Sequence, residues 1–193
     1  MKDKEIEIQK ICGFYVNDWH FTTMILPYMR KEIEENKKVI TFFQNTIESN
    51  IKEMLSKMNL NKTFEEKILE INWNKANSLR KEEIKQTLES IDKNIQATDL
   101  LRKEENKSIE ARNENTQAID ILVKGENEFI ETINGKIETA IQELNFETKV
   151  NVINFYDLSK NQEINQITQK HEYVINTAGM QKIDNKIKKE KEA

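Results

Sequence analysis

The chain has 193 residues, of which 37% are hydrophobic and 33% charged, a balance that predicts a folded domain with a core rather than a disordered segment. Lys and Arg number 30 and Asp and Glu 34, so the net charge of −4 gives no positive field to hold nucleic acid or anionic lipid. The single cysteine, Cys12, excludes an intramolecular disulfide framework and a multi-cysteine metal site.

The chain shows no membrane or export signal. No apolar segment of the secretory type follows Met1, and no apolar stretch approaches the roughly 18 residues that span a bilayer. Together with the single cysteine, this favours a reducing compartment. We therefore expect a cytoplasmic protein with no membrane partner.

Short β-rich runs alternate with segments of helical spacing along the chain. Runs such as 39–43 (VITFF) and 119–123 (IDILV) are largely apolar, which is typical of strands covered on both faces. The six predicted strands are 10–15, 38–43, 67–73, 118–123, 149–156 and 172–176. This pattern predicts a three-layer α/β fold, RecA-like or Rossmann-like, with a mostly parallel central sheet of about six strands.

The first predicted helix follows the first strand. Asp18 is its expected N-cap, and Phe21, Met24 and Ile25 lie on its apolar stripe. Pro27, the only proline, removes one backbone hydrogen bond inside it, so we expect a bend near Leu26 or a restart at Pro27.

The chain is expected to form one domain, residues 1–181, followed by a charged tail, residues 182–193. Residues 99–117 are almost entirely charged or amide, which is typical of a solvated helical excursion from the domain surface. The tail is rich in Lys and Glu and is expected to be a frayed or disordered end, with a partner-binding helix as the alternative.

No complete catalytic, metal or nucleotide motif is present. A P-loop needs two glycines before its lysine, but Ile130 stands where the first glycine should precede Gly135-Lys136. The dinucleotide fingerprint fails for the same shortage of glycine. His20 and His171, the two histidines, lack metal-ligand spacing and are expected to be structural or solvated. We expect no cofactor, no metal and no catalytic residue, and Cys12 is expected to be an inert buried thiol.

Candidate binding residues come from the ends of the predicted strands. Ligands of open parallel sheets bind outside the carboxyl ends of the strands, where a few aromatic and polar side chains suffice to build a pocket. The candidates are Tyr15, Asp18, His20, Trp73, Glu126, Tyr156 and Asp157. The alternative is that Tyr15 and Trp73 simply fill the top of the core.

Several segments, in their order and spacing, resemble a known family. These are residues 10–15 (KICGFY), 26–29 (LPYM), 36–40 (NKKVI), 150–159 (VNVINFYDLS) and 171–176 (HEYVIN), with the acidic strand end Gly125-Glu126 between them. They resemble the MEDS domain, the methanogen and methylotroph sensory domain, over about residues 10 to 179. Lys10 replaces a histidine common in that family, and the 99–117 excursion is longer.

The resemblance implies a degenerate RecA-like domain that has lost its nucleotide loop and serves bacterial and archaeal signalling. The leading hypothesis is a non-catalytic sensory or regulatory domain that binds a small molecule or a protein partner, with a homodimer as a further possibility. A ligand seated between Tyr15, Trp73 and Tyr156 would then shift the first helix.

Two alternatives stay open. One is a protein-interaction adaptor without a ligand, with 99–117 and the tail as contact surfaces. The other is an unrecognised hydrolase using Asp18, His20, Glu126 and Asp157, which the absence of a serine or cysteine beside His20 disfavours.

Overall fold

The computed structural model of the protein describes residues 8–35, 37–76, 80–105, 118–144, 146, 148–160 and 164–183, with the side chains of 98–105 outside that description. Six helices and six strands are formed in these residues. In chain order they are β1 (Ile8–Tyr15), α1 (Asp18–Glu34), β2 (Lys38–Phe43), α2 (Glu48–Lys57), α3 (Lys62–Glu70), α4 (Lys81–Glu105), β3 (Ile119–Gly125), α5 (Asn127–Leu144), β4 (Val150–Asp157), α6 (Ile164–Gln169), β5 (Tyr173–Asn176) and β6 (Gly179–Lys182).

The strands form one sheet in the order β2-β3-β4-β1-β5-β6. β1 to β5 are parallel, and β6 pairs antiparallel with β5. All seven residues of β3 are buried, because helices cover both faces of the sheet at its centre. The predicted α/β fold with a mostly parallel sheet is therefore confirmed.

Each face of the sheet packs on its own set of helices. Apolar residues of α1, α2 and α3 form one core with Ile11, Leu122 and Ile153 of the sheet. On the opposite face, residues of α4 and α5 and Ile167 of α6 form the second core. The result is a three-layer arrangement in the Rossmann manner.

One predicted strand is wrong. Residues 67–70 belong to α3, because Asn61 caps that helix by accepting a 2.8 Å hydrogen bond from the Thr63 N–H, and Phe64 and Ile68 share one apolar face. The chain then runs irregularly past Trp73 and makes a single bridge between Phe43 and Lys75. The sixth strand is β6 instead, which returns from β5 through a turn at Gly179, where φ is +106°.

The N-cap of α1 differs from the prediction, and of the two expectations at Pro27 the restart is wrong. Asn17, rather than Asp18, is the N-cap, and its Oδ1 accepts a 2.8 Å hydrogen bond from the His20 N–H. The helix does not restart at Pro27 but continues through it to Glu34. Seven residues of the helix are buried, so packing offsets the one backbone bond that proline removes.

The two polar segments lie mostly outside the described residues. α4 extends through the first part of the 99–117 excursion as far as Glu105, and residues 106–117 are outside the description. β6 ends at Lys182, the first residue of the predicted tail, and residues 184–193 are likewise outside it. In the part of the chain that is described, no helix has the length and apolarity needed to cross a membrane.

Candidate functional site

The topology places a crevice at the carboxyl ends of β1 and β4. These strands are neighbours, but the chain leaves β1 for α1 on one face of the sheet and leaves β4 for α6 on the other. Loops that part in opposite directions open the crevice in which α/β proteins bind ligands. The loop after β4 stays close to β1 at first, since the Leu158 N–H donates a 2.8 Å hydrogen bond to the Tyr15 carbonyl.

An ion pair crosses this edge between β3 and α1. Nζ of Lys124 lies 2.7 Å from Oδ1 of Asp18, and the two side chains are 3% and 42% exposed. The ammonium also lies 4.5 Å from the ring centre of Tyr15 and 5.4 Å from that of Phe21. Because Lys124 is buried against two aromatic rings, the Asp18 carboxylate is the counter-charge that makes its burial tolerable.

A second set of polar contacts lies beside the Lys124–Asp18 ion pair. Lys160 forms an ion pair with Glu126, whose backbone N–H donates a 2.7 Å hydrogen bond to Oε1 of Gln44. Oδ1 of Asp157 accepts hydrogen bonds from the Ser159 N–H at 2.9 Å and the Ser159 hydroxyl at 2.6 Å. These contacts hold the side chains of Glu126, Asp157 and Lys160 in place at the edge.

Tyr15 links these groups electrostatically. Burial raises the pKa of its hydroxyl, and the nearby charges of Asp157, Asp18 and Glu126 raise that pKa further. Three of the other predicted site residues are therefore close enough to Tyr15 to act on its hydroxyl. The structure brings Tyr15, Asp18, Glu126 and Asp157 together as one cluster.

His20 lies beside this cluster, in the first turn of α1. Its Nδ1 accepts a 3.3 Å hydrogen bond from the Val16 N–H, so the neutral ring carries its proton on Nε2. The contact ties the imidazole to the loop that precedes the helix. The role of His20 as a candidate binding residue stays a prediction.

Trp73 and Tyr156 do not join the cluster. Trp73 is 1% exposed, stacks on Phe43, and donates a 2.7 Å hydrogen bond from Nε1 to the Ile68 carbonyl. Tyr156 belongs to the core on the opposite face of the sheet, where its ring meets His171 edge to face at 5.9 Å. The proposed seat for one ligand between Tyr15, Trp73 and Tyr156 is therefore wrong, because all three rings are buried and they do not share a face.

Comparison of the chain with protein-family models, with curated proteins and with solved structures gives no match. No family is thereby shown, and the resemblance to the MEDS domain stays a prediction.

An exposed aromatic side chain at this edge is Trp19, which the sequence prediction missed. Trp19 is 37% exposed and Val16 53% exposed, and Nζ of Lys57 lies 4.8 Å from the indole centre. The available signal was periodicity, because Trp19 falls outside the stripe of Phe21, Met24 and Ile25 that packs on the sheet. An aromatic residue off the buried stripe, at a strand end, is a candidate contact for a ligand.

Two cavities lie elsewhere. One of about 660 Å³ follows β2, and one of about 490 Å³ lies between α1 and α3. Neither is lined by any of the seven predicted site residues. Among the described residues no cluster of three His, Cys, Asp or Glu side chains could hold a metal ion, so the acids at the carboxyl edge are not arranged as metal ligands.

Proposed function

We propose that this chain is a non-catalytic regulatory domain of the sensory type, which binds a small molecule at the carboxyl edge of its sheet between β1 and β4. The supporting observation is the Lys124–Asp18 ion pair, 2.7 Å long, next to the exposed side chain of Trp19 at the point where the strand connections diverge. The resemblance to the MEDS domain supports the same function.

The side chains at this edge suggest the chemistry of the ligand. Trp19 and Val16 offer an exposed apolar surface, and Asp18 and Lys124 offer one charge of each sign. A small molecule with a flat apolar part and one charged group would satisfy both. An ammonium group would pair with the half-exposed Asp18, and a carboxylate would pair with the buried Lys124 by displacing the Asp18 carboxylate.

The same ion pair supplies a mechanism for signalling. Asp18 is the first residue of α1, whereas Lys124 lies on β3, a fully buried strand of the sheet. A ligand that takes either partner removes the contact that ties the start of α1 to the sheet. That turn can then adopt a second arrangement. The ligand shifts the population toward it to the extent that it binds the second arrangement more tightly than the first.

Contacts around the reactive side chains support binding without turnover. Cys12 lies in the middle of β1 and is buried. The Ser159 hydroxyl and the Ser159 N–H both donate to the Asp157 carboxylate in a local turn, and Nδ1 of His20 accepts from backbone, so neither contact pairs a serine or cysteine with a histidine base. A cytoplasmic location is part of the proposal, since the one cysteine of the chain is a buried free thiol.

A thermal-shift assay with phenethylammonium and phenylacetate tests this function. The two probes share a flat ring and differ in the sign of their charge. We expect one of them to raise the melting temperature, and Trp19→Ala to abolish that rise. Asp18→Asn should abolish only an effect of the ammonium probe, and Lys124→Met only an effect of the carboxylate probe.

The matched control is Leu69→Ala, which removes an exposed apolar side chain from α3, away from this edge. It should leave the response to the probe intact. A rise that survives Trp19→Ala contradicts the proposed site. The proposal is also overturned if neither probe nor a broader panel of small aromatic metabolites changes the melting temperature.

A further inference from the structure

The outer edge of β2 is covered along only part of its length. β2 is the terminal strand of the sheet, with β3 as its neighbour. The segment after α3 covers its carboxyl half, where the Ala76 N–H donates a 2.9 Å hydrogen bond to the Phe43 carbonyl and the Thr41 hydroxyl donates to the Asn72 carbonyl. The amino half has no such cover within the described residues.

Strand alternation identifies the backbone groups that point outward. The N–H and C=O of one strand residue face the same side, and successive residues alternate. Because the Phe43 carbonyl faces outward, those of Thr41 and Val39 do as well. The Gln44 N–H points inward to the Lys124 carbonyl at 2.9 Å, as the alternation requires. Within the described residues, no backbone group outside the sheet bonds to the backbone of Val39 or Thr41.

A groove follows this open edge. It has a volume of about 660 Å³, and partly buried apolar side chains of both helical layers line it. Ile33 and Ile71 pack on the core of α1 to α3, and Ile91 packs on the core of α4 and α5. A strand edge between two apolar walls suits an added strand, whose alternate side chains would point to one wall and then to the other.

The charge of the groove indicates the character of that strand. Its lining includes three lysines, Lys37, Lys38 and Lys67, and one glutamate, Glu70. Lys37 lies 2.7 Å from Glu32 and 2.9 Å from the Glu35 carboxylate, which offsets its charge. In the described part of the chain no carboxylate pairs with Lys38 or Lys67. Glu70 offsets one of these two charges, so the groove lining keeps a small positive excess on a chain whose net charge is −4.

We propose that this groove binds an extended acidic segment of a partner protein, which pairs with Val39 and Thr41 as an additional strand at the edge of β2. A second copy of this chain fits less well, because pairing β2 with itself would bring the Lys38 and Lys67 side chains of both copies together. The site is separate from the carboxyl edge between β1 and β4 and gives the domain an interaction surface of its own.

Fluorescence polarisation with short labelled peptides tests the proposal. The probe alternates Glu and Val, and its charge-reversed control alternates Lys and Val. We expect the acidic peptide to bind and the basic peptide not to bind. If the edge lysines only protect β2 from aggregation, neither peptide should bind. N-methylation of alternate residues gives a sharper control. Methylating the set that pairs with the edge should abolish binding, and methylating the other set should not.

Variants of the protein locate the binding edge. Combining Lys38→Glu with Lys67→Glu should weaken binding of the acidic peptide about tenfold or more, because it places like charges together. Lys62→Glu changes the charge of α3 outside the groove and is the matched control for either single substitution. Val39→Pro removes only an outward N–H, which edge strands tolerate, and should also abolish binding.

Several outcomes would overturn the proposal. These are equal binding of the acidic and basic peptides, full binding by both N-methylated forms, or binding unchanged by Val39→Pro. A concentration-dependent dimer in sedimentation that Val39→Pro dissolves would instead assign the edge to a second copy of this chain. Asp18→Asn should leave peptide affinity unchanged, so failure here is distinguishable from failure of the small-molecule site.

Discussion

The hydroxyl of Tyr28, on α1, donates a 2.6 Å hydrogen bond to Oδ2 of Asp120, the second residue of β3. The other oxygen of Asp120 accepts a 2.6 Å hydrogen bond from Nδ2 of Asn151 on β4. Glu32 lies one turn after Tyr28 and is also buried, so two carboxyl groups share the space beneath α1. This buried polar group joins the helix to the centre of the sheet, at the end opposite the proposed ligand site.

The first prediction concerns the pH dependence of stability. Burial, and then the neighbouring Asp120, raise the pKa of Glu32 from 4.5 to about 7, although Lys37 acts in the opposite direction. Between these two pH values the folded protein keeps a proton that the unfolded chain has lost. The resulting stabilisation is complete below pH 4.5 and is lost as the pH rises through 7, with a total on the order of 3 kcal/mol.

Urea unfolding between pH 5 and 8 measures this effect. Glu32→Gln provides a permanent donor for Asp120 and should flatten the fall in unfolding free energy with pH. Glu34→Gln changes an exposed carboxyl of the same helix and should keep the profile of the unmodified protein. Parallel pH profiles for the unmodified protein and Glu32→Gln would show that Glu32 does not hold this proton.

The second prediction concerns the Lys124–Asp18 pair. Asp18→Asn leaves a buried ammonium without its counter-charge, a change that is strongly destabilising when both partners are buried. Because the Asp18 side chain is 42% exposed, water offsets part of the loss, and we expect about 1 kcal/mol. Lys124→Met keeps the aliphatic contact with the Tyr15 and Phe21 rings and should change stability little.

A double-mutant cycle tests this asymmetry. In the Lys124→Met background, Asp18→Asn should have almost no effect on the unfolding free energy, because no buried charge remains to be neutralised. Glu89→Gln breaks an exposed pair with Lys93 on α4 and should be near neutral in either background. Equal losses for Asp18→Asn in both backgrounds would mean that the two charges do not interact.

The fold was predictable because periodicity reports burial. The fully buried β3 and the nearly fully buried β4 read as apolar runs, and the helices between strands show spacings of three and four. The failure at residues 67–73 has the same origin. A run with Ile68, Leu69, Ile71 and Trp73 also suits a short helix followed by an irregular buried segment, and the Asn61 cap decides for the helix.

The sequence predicted which residues lie at the ends of the strands, but not which face of the sheet each of them occupies. Strand-end reasoning found Tyr15, Asp18, Glu126 and Asp157, which the structure brings together. It could not assign Tyr156 to a face, because that depends on register. Tyr156 lies opposite Phe14, so it points away from the face of Tyr15, and no local pattern fixes that register.

The third prediction concerns Cys12, which lies between β4 and β5 in the sheet. Burial raises the pKa of its thiol to about 12, and the thiol contacts the Tyr173 carbonyl at 3.6 Å. At pH 8 the folded protein should therefore react with a disulfide reagent only as fast as it opens, and fully after unfolding in guanidinium chloride. An exposed thiol in a Cys12→Ala, Lys62→Cys control should react at once, and equal rates would contradict the burial.

The fourth prediction contrasts two glycines. A methyl group on Gly13 would lie 2.7 Å from Cδ1 of Phe155 and 2.8 Å from Cγ2 of Ile175, in the packed layer beneath α1. Gly13→Ala should therefore lower the unfolding free energy by about 1 to 3 kcal/mol, since two side chains of the core must shift.

Gly135, in the middle of α5, has no neighbour within 4 Å of the same position. Gly135→Ala should raise stability by about 0.5 to 1 kcal/mol, because alanine restricts the unfolded chain and favours the helix. Urea unfolding of both variants decides the matter, and a Gly13→Ala protein as stable as the unmodified chain would mean that β1 and β5 pack less closely than the structure has them.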